Sequence, residues 1–290
     1  MTLLEVVFLT VFWTWAISAV LFLRNTVLPP LQLLSQPEQF GLSATTVRFP
    51  ATDGVELEGW TIPGDSTQPW LILCHGVGSN RSDLLDMAAG LHRRGFNLLL
   101  FDFRGHGGSA GRTTSFGAQE QRDLEGALAF LGQQADVPVH RPYGVVGISM
   151  GAVAAILVAA KDERLGAVAA DSPYTDLESS LGRHLALLYR LPRVPLLGFV
   201  AATYRLRFGV WPCRVSPLAA APALSPRRLL LIQGGSDVRM PLQGAQAIVT
   251  AAGKPAELWV IRGAGHLEGF SLDPARYLDR LSRFFASSLR

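Results

Sequence analysis

The sequence predicts an α/β fold: a mainly parallel eight-stranded sheet flanked by helices, with a helical insertion late in the chain and one transmembrane helix at its start. Three observations carry this. Apolar runs of strand length alternate with helical patterns from residue 70 onward, the rhythm of strand–helix–strand crossovers. Two of those runs, at 70–74 and 97–103, are almost continuously apolar, as strands covered on both faces are. Third, Gly147-Ile148-Ser149-Met150-Gly151 sits where an apolar run at 143–148 meets an alanine-rich helical pattern.

Residues 6–23 carry no charge. As a helix they span about 27 Å, enough for a hydrocarbon core. No Lys or Arg precedes the run, only Glu5, and no small-x-small site precedes Arg24. That pattern predicts an uncleaved anchor over 1–24 rather than a signal peptide. Arg24 behind the segment and Glu5 in front place the main domain on the cytoplasmic side by the positive-inside rule. Thr10, Thr14 and Ser18 share one face, and each hydroxyl is expected to bond back to its own helix.

Residues 25–43, with Pro29-Pro30, Pro37 and few charges, read as a linker with a short apolar patch at 31–34. The folded domain is expected over 44–290. Strand 45–49, the turn Asp53-Gly54 and strand 55–62, which alternates apolar and polar, form an antiparallel hairpin. Strand 70–74 leads through His75-Gly76-Val77 to a helix at 82–94, and strand 97–103 leads to a helix at 116–134. Strand 143–148 leads to a helix at 150–160, and strand 165–170 ends at Asp171. Residues 175–222 break the rhythm, with helix-like apolar stretches and five prolines, and read as a lid. Strand 229–233, a helix at 242–252, strand 257–261 and a helix at 274–289 complete the chain.

Composition narrows the function classes. The net charge is +3, but no run of five basic residues and no binding motif suggests a nucleic-acid partner. Cys74 and Cys213 make no disulfide framework, and Cys74 reads as a buried small hydrophobe. No His/Cys/Asp cluster has metal-ligand spacing. The glycine-rich 105–111 stretch lacks both the P-loop lysine and the dinucleotide fingerprint, so no cofactor is expected.

Gly-x-Ser-x-Gly at a strand-to-helix turn forms a nucleophile elbow, which lifts the serine hydroxyl clear of the sheet. The surrounding motifs extend this. Thr52-Asp53-Gly54 with Gly59-Trp60, then His75-Gly76, then Asp102-x-Arg104-Gly105-His106-Gly107-x-Ser109, Gly147–Gly151, Gly235-x-Asp237 and Gly265-His266 occur in that order. With them the chain resembles an alpha/beta-hydrolase-fold serine hydrolase over nearly all of 44–290. It is similar to a subgroup of small, N-terminally anchored esterase-, lipase- or thioesterase-like enzymes, some related to protein depalmitoylases.

The resemblance implies Ser149 as nucleophile, His266 as base and Asp237 as the acid that orients it, in the family's chain order. Asp171, at the end of the sixth strand, is the second candidate for the acid. The oxyanion hole is expected from the backbone amides of Val77 and Met150. His75 and His106 are expected to bond within the loops, and His92, His140 and His184 to be packed or solvated. The implied reaction is hydrolysis of an ester or thioester of a small or lipid-like acyl substrate. Amide cleavage and a catalytically silent interaction module are the alternatives. The insertion has no acidic residue from 179 to 236 but many arginines. It either meets anionic lipid or an acyl chain, or packs its apolar side on the domain and leaves the arginines solvated.

Overall fold

The computed structural model describes residues 2–26, 32–134 and 142–289. Pro29-Pro30, Leu31 and His140, singled out above, lie outside the described residues. Eight strands form one sheet: β1 (Thr45–Pro50), β2 (Glu56–Ile62), β3 (Trp70–Cys74), β4 (Asn97–Phe101), β5 (Tyr143–Ile148), β6 (Leu165–Asp171), β7 (Arg228–Gly234) and β8 (Glu257–Ile261). Their spatial order is β1-β2-β4-β3-β5-β6-β7-β8. β1 and β2 pair antiparallel, as do β2 and β4, and every later pairing is parallel.

The expected two-sided burial follows the period-2 rule. Along β3, Trp70, Ile72 and Cys74 enter one core, while Leu71 and Leu73 enter the other. The first core is covered by α3 (Glu120–Gly132), α4 (Met150–Ala159) and α8 (Leu242–Ala252). The second is covered by α2 (Leu85–His92) and α10 (Pro274–Ser288), with Phe270 of the short α9 (Gly269–Leu272) packed against it. In α10, Tyr277, Leu278, Leu281, Phe284 and Phe285 make the buried stripe that an amphipathic helix presents to a sheet. α4 is buried all round. It lies between sheet and insertion, so it has no face for polar residues.

The helix expected from residue 116 begins at Glu120 instead. Phe116 and Gly117 have positive φ, which an α-helix cannot use. The Glu120 carboxylate accepts from the Ser115 and Gly117 N–H groups at 2.8 Å each, which closes a turn ahead of the helix. The helix expected at 82–94 splits into a 3-10 turn, Arg81–Leu84, and α2.

Between β6 and β7 lie α5 (Leu177–Tyr189), α6 (Leu196–Phe208), the short α7 (Pro217–Ala220) and 3-10 turns. The first helix, α1, spans Leu3–Thr26. Thr10, Thr14 and Ser18 do bond back to carbonyls four residues earlier, at 2.7–2.8 Å. Leu3 through Trp13 are exposed, but Ser18, Phe22 and Thr26 are buried at four-residue spacing. That stripe packs on α6: the Phe22 ring meets Tyr204 edge-on at 5.9 Å, and Thr26 O accepts from Thr114 N at 2.9 Å. Beyond α1 the chain touches the domain again. Asn80 donates to Gln32 O, and Leu42 is buried in the second core.

Candidate active site

β3 has β4 on one side and β5 on the other, so the strand order reverses at the centre of the sheet. Loops leaving β3 and β5 there diverge and open a crevice at the carboxyl edge. Ser149 stands at this point, between β5 and α4, with φ 51° and ψ −110°. The flanking glycines are required by space. A Cβ on Gly147 would come within 2.6 Å of Ala152 Cα, and one on Gly151 within 2.7 Å of His75 O. The strain at Ser149 is held by α4 behind it and by its own N–H, which donates to Asp171 O at 2.8 Å.

Asp237 follows β7, and His266 follows β8. His266 Nδ1 lies 2.7 Å from Asp237 Oδ2, and His266 Nε2 lies 3.3 Å from Ser149 Oγ. The other Asp237 oxygen accepts from the Arg239 and Met240 N–H groups at 2.8 and 2.9 Å. Gln233 Nε2 donates to Oδ2 at 3.2 Å and to Met240 O at 2.7 Å, which ties the loop to its strand. Burial alone would raise the Asp237 carboxyl, but the bonds from His266 and from these amides outweigh it and hold the group below the usual carboxylate range. An ionised Asp237 can only accept, so Nδ1 of His266 carries the hydrogen and Nε2 is free to accept from Ser149. An imidazole so placed can take a hydroxyl proton.

The loop after β3 runs beside the serine: a Cβ on Gly76 would lie 3.4 Å from Ser149 Cβ. Val77, next in the chain, and Met150, the first residue of α4, both line the cavity in front of Ser149. Buried His75 accepts from Phe103 N at Nε2, 3.0 Å away, so its Nδ1–H donates to Gly76 O at 2.7 Å. Burial pushes its pKa down to about 3, and it stays neutral. His106 accepts from Gly78 N at Nε2, and its Nδ1–H donates to Arg104 O. Both histidines thus shape the loop, as expected.

The Asp102-to-Ser109 motif is a brace. Asp102 accepts from Arg81 N at 2.7 Å and from Gly108 N at 2.8 Å, and it pairs with the buried Arg81 guanidinium. Arg81 also pairs with Glu58 at 2.6 Å and lies over Trp60. These contacts fix the segment that carries Val77.

A cavity of about 440 Å³ opens over Ser149 and His266, within the usual range for small-molecule sites. Its walls are largely apolar side chains from α5 and α6, including Leu181, Leu185, Leu188 and Val200. Phe116, Ser149 and Leu267, three of the non-glycine residues with positive φ, face it.

Residues 71–280 match the model of the alpha/beta hydrolase family. The chain belongs to that family. This hydrolase is 29% identical over 246 residues to the uncharacterised protein YqkD of Bacillus subtilis, covering 84% of this chain and 79% of that one. It is 32% identical over 238 residues to an uncharacterised protein of Mycobacterium tuberculosis, covering 81% of this chain and 77% of that one. Among solved structures it is similar to an esterase of Pyrococcus furiosus, with a TM-score of 0.75 and 26% identity over 91% of this chain and all of that one.

The hydrolase thus brings together all five of the expected site residues. Asp171 is set apart: it accepts from Tyr277 Oη at 2.7 Å and from Ser172 Oγ at 2.8 Å, and His266 is bonded to Asp237. Sequence reasoning missed Gln233, and it missed His184, which faces the cavity with Nδ1 bonded to Ser180 O. It also missed Ser18, Leu21, Phe22 and Asn25 of α1, which line the same cavity. The heptad-like spacing of Ser180, Leu181, His184, Leu185 and Leu188 was a readable signal for α5. Nothing marked Leu21 and Phe22 among their apolar neighbours, and the Ser18 hydroxyl predicted only a bond back to its own helix. Among the described residues, no group of three His, Cys, Asp or Glu side chains is placed to hold a metal.

Proposed function

We propose that this hydrolase is a serine hydrolase that cleaves a carboxylic ester or thioester through an acyl-enzyme on Ser149. The observation that carries the reading is the continuous chain from Ser149 Oγ to His266 Nε2 at 3.3 Å and from His266 Nδ1 to Asp237 at 2.7 Å. The likeness to an esterase supports it. The serine–histidine distance is at the long end for a hydrogen bond, and catalytic hydrogen bonds of this kind shorten in the Michaelis complex.

His266 takes the Ser149 proton as Oγ bonds to the acyl carbon. The carbonyl electrons move onto oxygen, facing the Val77 and Met150 amides, each such donor supplying about 3 kcal/mol of transition-state stabilisation. Collapse breaks the bond to the leaving alcohol or thiol, which takes the proton from His266. Water then repeats the sequence and releases the acid. Asp237 holds the imidazole tautomer and stabilises the imidazolium.

In this reading residues 44–290 form the catalytic domain, 175–222 its lid, 25–43 the linker and 1–24 a membrane anchor. α1 is long and apolar enough to span a bilayer, and Arg24 behind it with Glu5 in front supports a cytoplasmic domain by the positive-inside rule. Purified wild type should turn over p-nitrophenyl butyrate and be labelled by a fluorophosphonate. Ser149→Ala should lose both while its unfolding midpoint stays within the wild-type range. Undiminished turnover in that variant excludes Ser149 as the nucleophile.

A further inference from the structure

The cavity over Ser149 has a wall that its own domain does not supply. Leu21 and Phe22, with Ser18 and Asn25, come from α1, the helix whose uncharged stretch runs from residue 6 to 23. Length makes this placement informative. The part of α1 before Ser18, residues 3–17, amounts to fifteen residues, or about 22 Å of helix, against a hydrocarbon core of about 30 Å. A helix that spans must therefore use its docked turns as well. Leu21 and Phe22 then sit at the edge of the hydrocarbon, with Arg24 at headgroup level.

The lid beside them suits that position. Leu187, Leu188, Val194 and Leu206 are exposed apolar residues. Arg183, Arg190, Arg193, Arg205 and Arg207 make no ion pair with a side chain among the described residues. Apolar side chains interspersed with unpaired arginines fit an anionic membrane surface. The cavity wall is mostly apolar, with Ser18, Asn25, Ser180, His184 and Arg239 among its polar members beside the Ser149–His266 pair, so it accommodates a hydrocarbon chain next to a reactive carbonyl.

We propose that α1 has two roles: the helix crosses the bilayer, and its last two turns, still within the span, form a wall of the acyl site. The substrate is then a membrane lipid ester whose chain slides from the hydrocarbon into the cavity past Leu21 and Phe22. Hydrolysis yields a fatty acid and the alcohol-bearing remainder. The proposal rests on the serine-hydrolase reading above.

The test uses the full chain in phosphatidylcholine–phosphatidylglycerol vesicles. It compares kcat/KM for p-nitrophenyl palmitate and p-nitrophenyl acetate in wild type, Leu21→Trp and Val20→Trp, with fluorophosphonate labelling of each. Trp at position 21 fills the cavity, so the long-to-short ratio should fall by roughly tenfold or more, the scale of discrimination an apolar pocket achieves. Val20 is exposed and does not line the cavity, so Val20→Trp should keep the wild-type ratio. If Leu21→Trp is not labelled, Leu21→Ala serves instead, and its chain-length optimum should move to longer acyl groups. A labelled Leu21→Trp with the wild-type ratio, or an unmoved optimum in Leu21→Ala, overturns the inference and leaves the hydrolase reading standing. Absence of labelling and turnover in wild type removes that reading itself. Diluting the ester with inert lipid at constant bulk concentration should slow the reaction in proportion to its mole fraction, and a rate blind to mole fraction overturns the bilayer route. Faster release of palmitate from an S-palmitoylated peptide than from a diacylglycerol in the same vesicles assigns the wall to acylated proteins and overturns the lipid assignment.

Discussion

The Tyr277 hydroxyl donates to Asp171 Oδ2 at 2.7 Å, and this bond separates two carboxylates that sequence order alone leaves as rivals. Asp171 ends β6 and Asp237 follows β7, so both stand at the carboxyl edge of the sheet. Asp171 is engaged by α10 and by Ser172, and burial raises its pKa despite the Tyr277 bond. Asp237 faces His266 and is held below the usual range. Asp237→Asn should lower kcat by about three to four orders of magnitude, the scale seen when a triad histidine loses its tautomer partner. Asp171→Asn keeps an uncharged acceptor for Tyr277 and should retain kcat within about tenfold of wild type. Steady-state kinetics on a short ester decides, and the reverse ranking would move the acid to β6.

Arg81 is the second point of leverage. Its guanidinium is buried between Asp102 and Glu58, and its N–H bonds Asp102 as well. Arg81→Met removes one partner of a buried pair and leaves Asp102 charged and unmatched, which costs about 3–5 kcal/mol. Adding Asp102→Asn to that variant removes the stranded charge and should recover part of the loss. Urea unfolding measures both. kcat on a short ester should fall in Arg81→Met, because the segment this residue fixes carries Val77.

Asp53 gives the protein a defined acid sensitivity. Two bonds from Arg104, with Arg122 adding a third, hold its carboxyl far below the usual range, against a smaller opposing effect of burial. Its folded-state pKa is thus depressed. The stability it contributes is present above the unfolded value near 3.9 and is lost as pH falls through the lower folded value. The difference in urea midpoint between wild type and Asp53→Asn should be full at neutral pH and shrink below about pH 4. A difference independent of pH would show that the pair contributes through shape and not charge.

These variants also mark what was legible in the sequence. Ser149 was readable because the two glycines around it are a steric demand of one turn, and a steric demand leaves a local motif. Asp237 and His266 were readable because each closes a strand-end loop in a known order. Arg81 was not, because its partners come from β2 and from the loop after β4, and no spacing along the chain encodes a pairing across three loops. The start of α3 was misplaced because Glu120 spends its side chain on the turn before the helix, which hydrophobic periodicity does not register. The docked stripe of α1 was hidden because Phe22 looks like the apolar residues on either side of it, and the Ser18 and Thr26 hydroxyls bond back to their own helix, so neither advertises a partner.

That stripe yields the last prediction. Phe22 is buried between Tyr204 and Phe116, with ring centroids 5.9 and 6.5 Å away, and Thr26 O accepts from Thr114 N one turn on. Replacing a buried phenylalanine with alanine costs about 3–5 kcal/mol. Here the loss falls on docking, because α1 can leave α6 without the sheet unfolding, and local openings have their own free energies. Arg24 lies between the two docked residues on the same helical turns, so trypsin should reach its peptide bond only when those turns leave their seat. In detergent-solubilised full chain, Phe22→Ala should therefore speed cleavage after Arg24 by about a hundredfold, the open population implied by a loss of roughly 3 kcal/mol. The urea midpoint of the domain should stay where it is in wild type. Equal cleavage rates would mean that α1 is not held by this ring, and a shifted midpoint would mean that the helix is part of the cooperative core.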